Sequence, residues 1–154
     1  WFLGNTYHLS IGQGDVALTP LGVNVMTATI ANGGKFCKPY INEKLKTKNE
    51  KCKELEIKKD NLDLVKEGMR QVCLPAQTGT TGGTGFTFFD YKESVFCKTG
   101  TAEVGTDDDT HAWFTLFNAD LALTVLVEKG GEGSKVAGPI ARSIMDYEYL
   151  RKNP

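Results

Sequence analysis

The feature that most constrains this chain is a change of hydrophobic period near residue 94. Upstream, Leu62, Val65, Met69 and Val72 fall at i, i+3, i+7 and i+10, which puts them on one helix face. Downstream, Ser94 to Glu103, His111 to Asn118 and Leu121 to Glu128 are rich in β-branched and aromatic residues and read as strands. Asn118-Ala119-Asp120 is a short turn suited to a hairpin. Three successive strands imply an antiparallel sheet. Gly138-Pro139 then opens a last helix, from about Pro139 to Leu150, in which Ile140, Ile144, Tyr147 and Leu150 share a stripe that needs an apolar surface to cover. The sheet is the nearest such surface. An antiparallel sheet with packed helices makes the fold α+β, in one domain over 1–154. No repeat with a period of roughly 20 to 50 residues is visible.

The first half supplies the remaining elements. Thr19-Pro20 before Leu21, Val25, Met26, Thr29 and Ile30 predicts a helix start, with a capping hydroxyl, a proline at the first helical position and apolar residues at helical spacing. Asn32-Gly33-Gly34 ends that helix. Lys35 to Ile41 reads as extended, and Pro39 favours an edge. From Asn42 to Asp60, Lys and Glu dominate, which predicts a solvated loop with a short strand at Leu55 and Ile57. Pro75 stops the second helix, and the glycine and threonine stretch Thr78 to Gly85 reads as a flexible connection.

Composition removes several function classes. With 154 residues, 40% apolar and 24% charged, the chain is long enough for a sizeable core. A net charge of -1 with interspersed signs gives no footprint for nucleic acid or an anionic membrane. No apolar run approaches the roughly 20 residues of a spanning helix, and no signal pattern opens the chain. The abrupt start on Trp1, without Met, leads to the expectation of a crop or cleavage product with any anchor upstream. Cys37, Cys52, Cys73 and Cys97 lie 15, 21 and 24 positions apart, with no close pair and only His8 and His111 to join them. A structural metal site needs close ligand pairs, so none is expected; free thiols are the plain reading, with one or two disulfides left open. Gly12-Gln13-Gly14-Asp15-Val16-Ala17 fits a dinucleotide pattern, but the helix starts at Pro20 and no second parallel strand follows. Thr78 to Gly85 lacks the Gly-Lys-Ser/Thr ending of a phosphate loop, and Asp107-Asp108-Asp109 reads as a solvated turn rather than a calcium site.

Chemistry concentrates in Lys98-Thr99-Gly100-Thr101, inside the first predicted strand. Lysine brings a positive point charge, threonine a hydroxyl, and glycine the absence of a side chain that would keep another backbone away. Together they suit an extended peptide ending in a carboxylate, laid along the strand as an added one. A backbone N–H on the same edge could point at a carbonyl oxygen under attack. The four residues alone are equally those of an exposed strand with a glycine bulge. Cys97, one residue before, could suggest a thiol nucleophile, but alternate strand residues face opposite sides, which turns it away from Lys98.

The surroundings are more specific, because the sequence resembles the class B penicillin-binding proteins along most of its length. Gly4 to Gly14 is similar to the family's approach to its Thr-Pro helix, and Thr19-Pro20-Leu21 through Ala31-Asn32-Gly33-Gly34 to that helix and its end. Lys98-Thr99-Gly100-Thr101-Ala102-Glu103, His111-Ala112-Trp113-Phe114 and Pro139-Ile140-Ala141-Arg142 resemble the strand, its neighbour and the final helix. The Lys-Thr-Gly triplet is itself a known mark of these proteins and of class A β-lactamases. Asn42 to Asp60 and Thr78 to Tyr91 match least and read as variable loops.

The resemblance implies the C-terminal part of a penicillin-binding transpeptidase domain, with a serine β-lactamase-like fold. It implies a D,D-transpeptidase of peptidoglycan cross-linking, in which a serine attacks the penultimate D-alanyl carbonyl of a stem peptide and β-lactams acylate the same serine. Stem peptide and β-lactam are thus the expected partners, with no cofactor and no nucleic acid. The parent protein is expected to be membrane-anchored at the outer face of the cytoplasmic membrane, among the cell-wall synthesis machinery. Carried over residue by residue, Lys98 joins the proton relay and the electrostatic network, and Thr99 meets the carboxylate. Gly100 allows close approach, while Thr101 gives a backbone N–H to the oxyanion hole and a hydroxyl toward the carboxylate. A glycine or other small residue usually precedes that lysine, so Cys97 is a departure, expected to affect packing more than catalysis. The family's Ser-x-x-Lys and Ser-x-Asn motifs are absent, since Ser10, Ser94, Ser134 and Ser143 fit neither. They are expected upstream, and the 154 residues alone are expected to be inactive. A non-catalytic β-lactam sensor or cell-wall scaffold of the same fold is the alternative, and an unrelated α+β protein with a chance tetrapeptide is a third reading.

Overall fold

The computed structural model describes residues 2–14, 16–41, 52–77, 81–104 and 109–153. The expectations for residues 42–51 and 78–80, and for Asp15, Asp107 and Asp108, fall outside them. In chain order the described elements are α1 (Leu3–Ser10), α2 (Pro20–Ala31), β1 (Lys35–Phe36), β2 (Lys53–Glu54) and α3 (Lys59–Val72). A 3₁₀ turn (Phe86–Phe88), β3 (Phe96–Glu103), β4 (Thr110–Phe117), β5 (Ala122–Val127) and α4 (Ala137–Lys152) follow. The strands β3, β4 and β5 form an antiparallel sheet in that order, and β1 pairs with β2 antiparallel.

Local chemistry explains most boundaries. The Thr19 hydroxyl accepts the Gly22 N–H at 3.1 Å and Pro20 occupies the first turn of α2, as its sequence predicts. At the other end Gly33 and Gly34 take φ of +69° and +91°, and the Gly34 N–H reaches back to the Thr29 carbonyl at 2.9 Å. Such left-handed residues close a helix and are open to glycine at little cost. In the β4–β5 turn the Asn118 side chain accepts the N–H groups of Asp120 and Leu121 at 3.0 and 2.9 Å, an Asx turn that fixes the hairpin. The short strand expected at Leu55 and Ile57 lies just upstream, at Lys53–Glu54. Helix α1, at Leu3–Ser10, adds to the elements expected from sequence, and none of its residues is buried.

The sheet has two covered faces. On one, Cys97, Phe114, Leu116 and Val125 pack against Ala137, Ala141 and Met145 of α4, with Phe88 stacked on Phe114 at 5.5 Å. On the other, Thr115 meets α2, where the buried hydroxyls of Thr27 and Thr115 lie 2.8 Å apart and the Thr124 hydroxyl donates to Asn24. A polar seam therefore joins α2 to the sheet, with each hydroxyl partnered as burial requires.

Two expectations need correction here. The stripe Ile140, Ile144, Tyr147 and Leu150 does not face the sheet; all four are exposed, and α4 instead presents Ala137, Gly138 and Ala141. Phe114 and Leu116 already fill much of the space, so small residues together with the buried Met145 make up the α4 contact, and a Cβ at Gly138 would sit 3.1 Å from the Thr87 hydroxyl. The cysteines are not free thiols: Cys37 is bonded to Cys52 and Cys73 to Cys97, with Cα separations of 4.3 and 5.7 Å.

Arg142 ties the 3₁₀ segment to α4. Its guanidinium donates to the Thr87 carbonyl at 2.7 Å, to Asp90 at 2.6 Å and to Asp146 at 2.9 Å, and it stacks 5.0 Å from the Tyr91 ring. The hydrogen bond from Arg142 holds the Asp90 carboxyl below the usual carboxylate range.

Candidate functional site

The strand that carries Lys98-Thr99-Gly100-Thr101 is an edge of its sheet among the described residues, bonded to β4 on one side only. An edge strand keeps a row of main-chain donors and acceptors pointing outward, which is what an added peptide strand requires. The register sets Lys98 opposite Thr115, Thr99 opposite Phe114, Gly100 opposite Trp113 and Thr101 opposite Ala112.

Because directly opposed residues share a face, Lys98 and Gly100 lie on the α2 side, while Cys97, Thr99 and Thr101 lie on the side of Phe114 and α4. Cys97 is fully buried and Lys98 exposed, so the expected opposite facing holds. The four residues are therefore not a single-faced cluster; a ligand on the outer edge meets Lys98 from one face and Thr99 from the other.

Each residue on the Cys97 side is held from outside the strand. Cys97 is bonded to Cys73 just past α3, the Thr99 hydroxyl lies 2.8 Å from that of Thr84, and the Gly133 N–H donates to the Thr101 hydroxyl at 3.4 Å. Gly133 must be glycine, since a Cβ there would collide with the carbonyl oxygens of Trp113 and Gly100. The loop between β5 and α4 thus lies directly on the β3–β4 backbone at Gly100. The Thr101 hydroxyl turns toward that loop, not toward the Lys98 side.

Lys98 donates from Nζ to the carbonyl of Thr99. Although the side chain keeps an open face, partial burial pulls its ammonium below the ordinary lysine value. A concavity of about 460 Å³ at the hairpin end, between Lys66, Phe96 and Asp120, includes none of Lys98, Thr99 and Thr101. Among the described residues no group of three or more His, Cys, Asp or Glu could hold a metal ion, and the four sulfurs are consumed in disulfides. Sequence reasoning passed over Thr84 and Gly133. Thr84 sits between Gly83 and Gly85 in a stretch whose composition reads as a flexible connection, and glycines flanking a single hydroxyl are the available signal.

Comparison with known proteins bears on the family of the chain. The family model of the penicillin-binding protein transpeptidase domain matches residues 1–146. The chain is 30% identical to the peptidoglycan D,D-transpeptidase MrdA of Haemophilus influenzae, over 100% of this chain and 27% of that protein. It is 34% identical to PbpA of Mycolicibacterium smegmatis, also a peptidoglycan D,D-transpeptidase, over 87% of this chain and 30% of that protein. In the solved complex of penicillin-binding protein PBP2 with MreC from Helicobacter pylori, a match covers 97% of this chain and 28% of the other, with a TM-score of 0.72 and 32% identity. A D,D-transpeptidase domain from Eggerthella lenta shares the fold, with a TM-score of 0.64 over 90% of this chain and 35% of that one, at 21% identity. The chain therefore spans less than a third of the curated relatives' length. With the family model covering nearly every residue and the Lys-Thr-Gly-Thr strand at a sheet edge, the chain belongs to the penicillin-binding protein transpeptidase domain family.

Proposed function

We propose that this chain supplies the substrate-binding strand of a peptidoglycan D,D-transpeptidase, and that the nucleophilic serine belongs to a part of the parent protein beyond these 154 residues. The observation that carries this reading is β3 itself: an edge strand with a lysine ammonium on one face and a braced threonine hydroxyl on the other. A stem peptide added along that edge would place its terminal carboxylate near Lys98 and the Thr99 hydroxyl, with Gly100 admitting its backbone.

In the reaction, the serine Oγ attacks the penultimate D-alanyl carbonyl. The oxyanion that forms is met by the Thr101 backbone N–H, preorganised by the strand. Collapse breaks the peptide C–N bond, and D-alanine leaves with a proton delivered through the network that includes Lys98. The amine of a second stem peptide then attacks the ester, forming the cross-link and freeing the serine. A β-lactam enters the same sequence but leaves the ester in place. The role proposed for Thr101 rests on its backbone N–H, while its hydroxyl accepts the Gly133 N–H at 3.4 Å.

The two disulfides support a site outside the cytoplasm, where such bonds persist. Among the described residues no helix is long and apolar enough to cross a membrane; a membrane anchor and contacts with cell-wall machinery are part of the proposal for the parent protein, suggested by the likeness to a protein solved in complex with MreC. The test is intact-mass spectrometry of the full-length parent after incubation with benzylpenicillin, alongside a cross-linking assay with stem-peptide substrates. One adduct on a serine outside 1–154, with D-alanine release and cross-linked product, is the expected result. An adduct without cross-linking would instead indicate a sensor or scaffold, and neither adduct nor product would overturn the proposal.

A further inference from the structure

We propose that Thr84 is a positioning residue for Thr99, donating its hydroxyl proton to the Thr99 oxygen so that the single Thr99 proton is directed at a ligand carboxylate. This deepens the reading of β3 as the carboxylate-binding strand and rests on it.

The argument is proton counting. A threonine hydroxyl has one proton to donate and two lone pairs to accept with, whereas an ionised carboxylate only accepts. The Thr84 and Thr99 hydroxyl oxygens lie 2.8 Å apart, and the geometry allows either to be the donor. Once a carboxylate takes the Thr99 proton, that freedom is gone, and the 2.8 Å contact survives only with Thr84 donating. The ligand thus selects one polarity of a pair that already exists. Hydrogen bonds in such a chain polarise one another, and a donor to a charged group is strengthened when its own oxygen accepts a bond.

The surroundings hold this pair in place. The Gly83 N–H donates to the Leu74 carbonyl at 3.0 Å and the Gly85 N–H to the Val72 carbonyl at 2.8 Å, which pins both neighbours of Thr84 to the end of α3. A Cβ at Gly83 would collide with the carbonyl oxygens of Gln71 and Val72, so the approach is available to glycine alone. The same end of α3 is joined to β3 through Cys73 and Cys97, two residues before Thr99. Thr84 and Thr99 therefore belong to one cross-linked frame.

The experiment measures second-order acylation rates of the full-length parent with benzylpenicillin for Thr84→Val, Thr84→Ser, Thr99→Val and the Thr84→Val/Thr99→Val double variant, each checked for folding by circular dichroism. The expected result is a loss of roughly 2- to 13-fold for Thr84→Val, the range for one neutral hydrogen bond. Near-normal rates in Thr84→Ser and no further loss in the double variant complete the expectation, since coupling of this kind appears as non-additivity. A silent Thr84→Val beside a damaging Thr99→Val overturns the inference while leaving the carboxylate strand intact. A Thr84→Val loss that persists undiminished without the Thr99 hydroxyl also overturns it, because Thr84 would then act through loop packing. A silent Thr99→Val strikes instead at the assignment of β3 as the carboxylate strand and removes this inference with it.

Discussion

Lys98 carries a charge that its surroundings make costly to keep, and this gives its role a pH signature. An amine is charged below its pKa, and partial burial has moved the Lys98 value down. Its positive field is therefore lost earlier as pH rises than an ordinary lysine, near about 10.4, would lose it. The alkaline fall in β-lactam acylation by the parent protein should begin below that point, and Lys98→Arg should move it upward while lowering the rate. At one pH the three site residues should also rank. Lys98→Ala removes both charge and proton transfer and should cost about 10²- to 10⁴-fold in acylation rate. Thr99→Val deletes a donor to a charged group, about 1.5 to 3 kcal/mol, or roughly 10- to 150-fold. Thr101→Ala should be mild, because the backbone N–H survives and its hydroxyl serves only the long 3.4 Å bond from Gly133. Thr101 as the most damaging of the three, with Lys98 silent, would sink these roles.

Helix α4 shows where pattern reading of an element reaches its limit. Its existence and both ends were legible from Gly138-Pro139 and the apolar spacing, but its rotation was not. Hydrophobicity favoured the large residues Ile140, Ile144, Tyr147 and Leu150, whereas the buried face is made of Ala137, Gly138, Ala141 and Met145, three of them small. The three main strands were legible because β-branched and aromatic residues crowd them and an Asx turn joins two. The Lys98 strand was readable for the same reason. Its bracing by Thr84 and Gly133 was not, since the two contacts join residues 15 and 32 positions apart and leave no periodic trace. The rotation of α4 is testable by urea denaturation of the 154-residue chain. Ala141→Leu should cost about 1 to 3 kcal/mol through overpacking, while Ile140→Ser should stay within about 0.5 kcal/mol. The reverse order would mean that the Ile140 stripe faces the sheet after all.

At the scale of the whole molecule, apolar side chains stand exposed on every helix, among them Leu3, Leu21, Leu64 and Tyr147. The chain spans 27 to 30% of its curated relatives, so in a full-length parent such side chains have further protein to pack against. The 154 residues alone should therefore bind an apolar dye such as ANS more strongly than the full-length parent does. Incubated with a labelled penicillin they should show no adduct by intact-mass spectrometry, since none of the four serines sits in Ser-x-x-Lys. A stoichiometric adduct on any residue would reveal a nucleophile that this reading overlooks. The pairing of the four sulfurs has a further consequence, for the order in which the chain is made. Four cysteines allow three pairings, and here each is joined to its next neighbour, Cys37 to Cys52 and then Cys73 to Cys97. A chain threaded N-terminus first into an oxidising compartment presents Cys37 and Cys52 together before Cys73 has arrived, so the native pairs are also the first available ones. Export itself should then yield the correct bonds without an isomerase, whereas the same chain oxidised in denaturant, with all four sulfurs available at once, should give a mixture separable by reversed-phase chromatography.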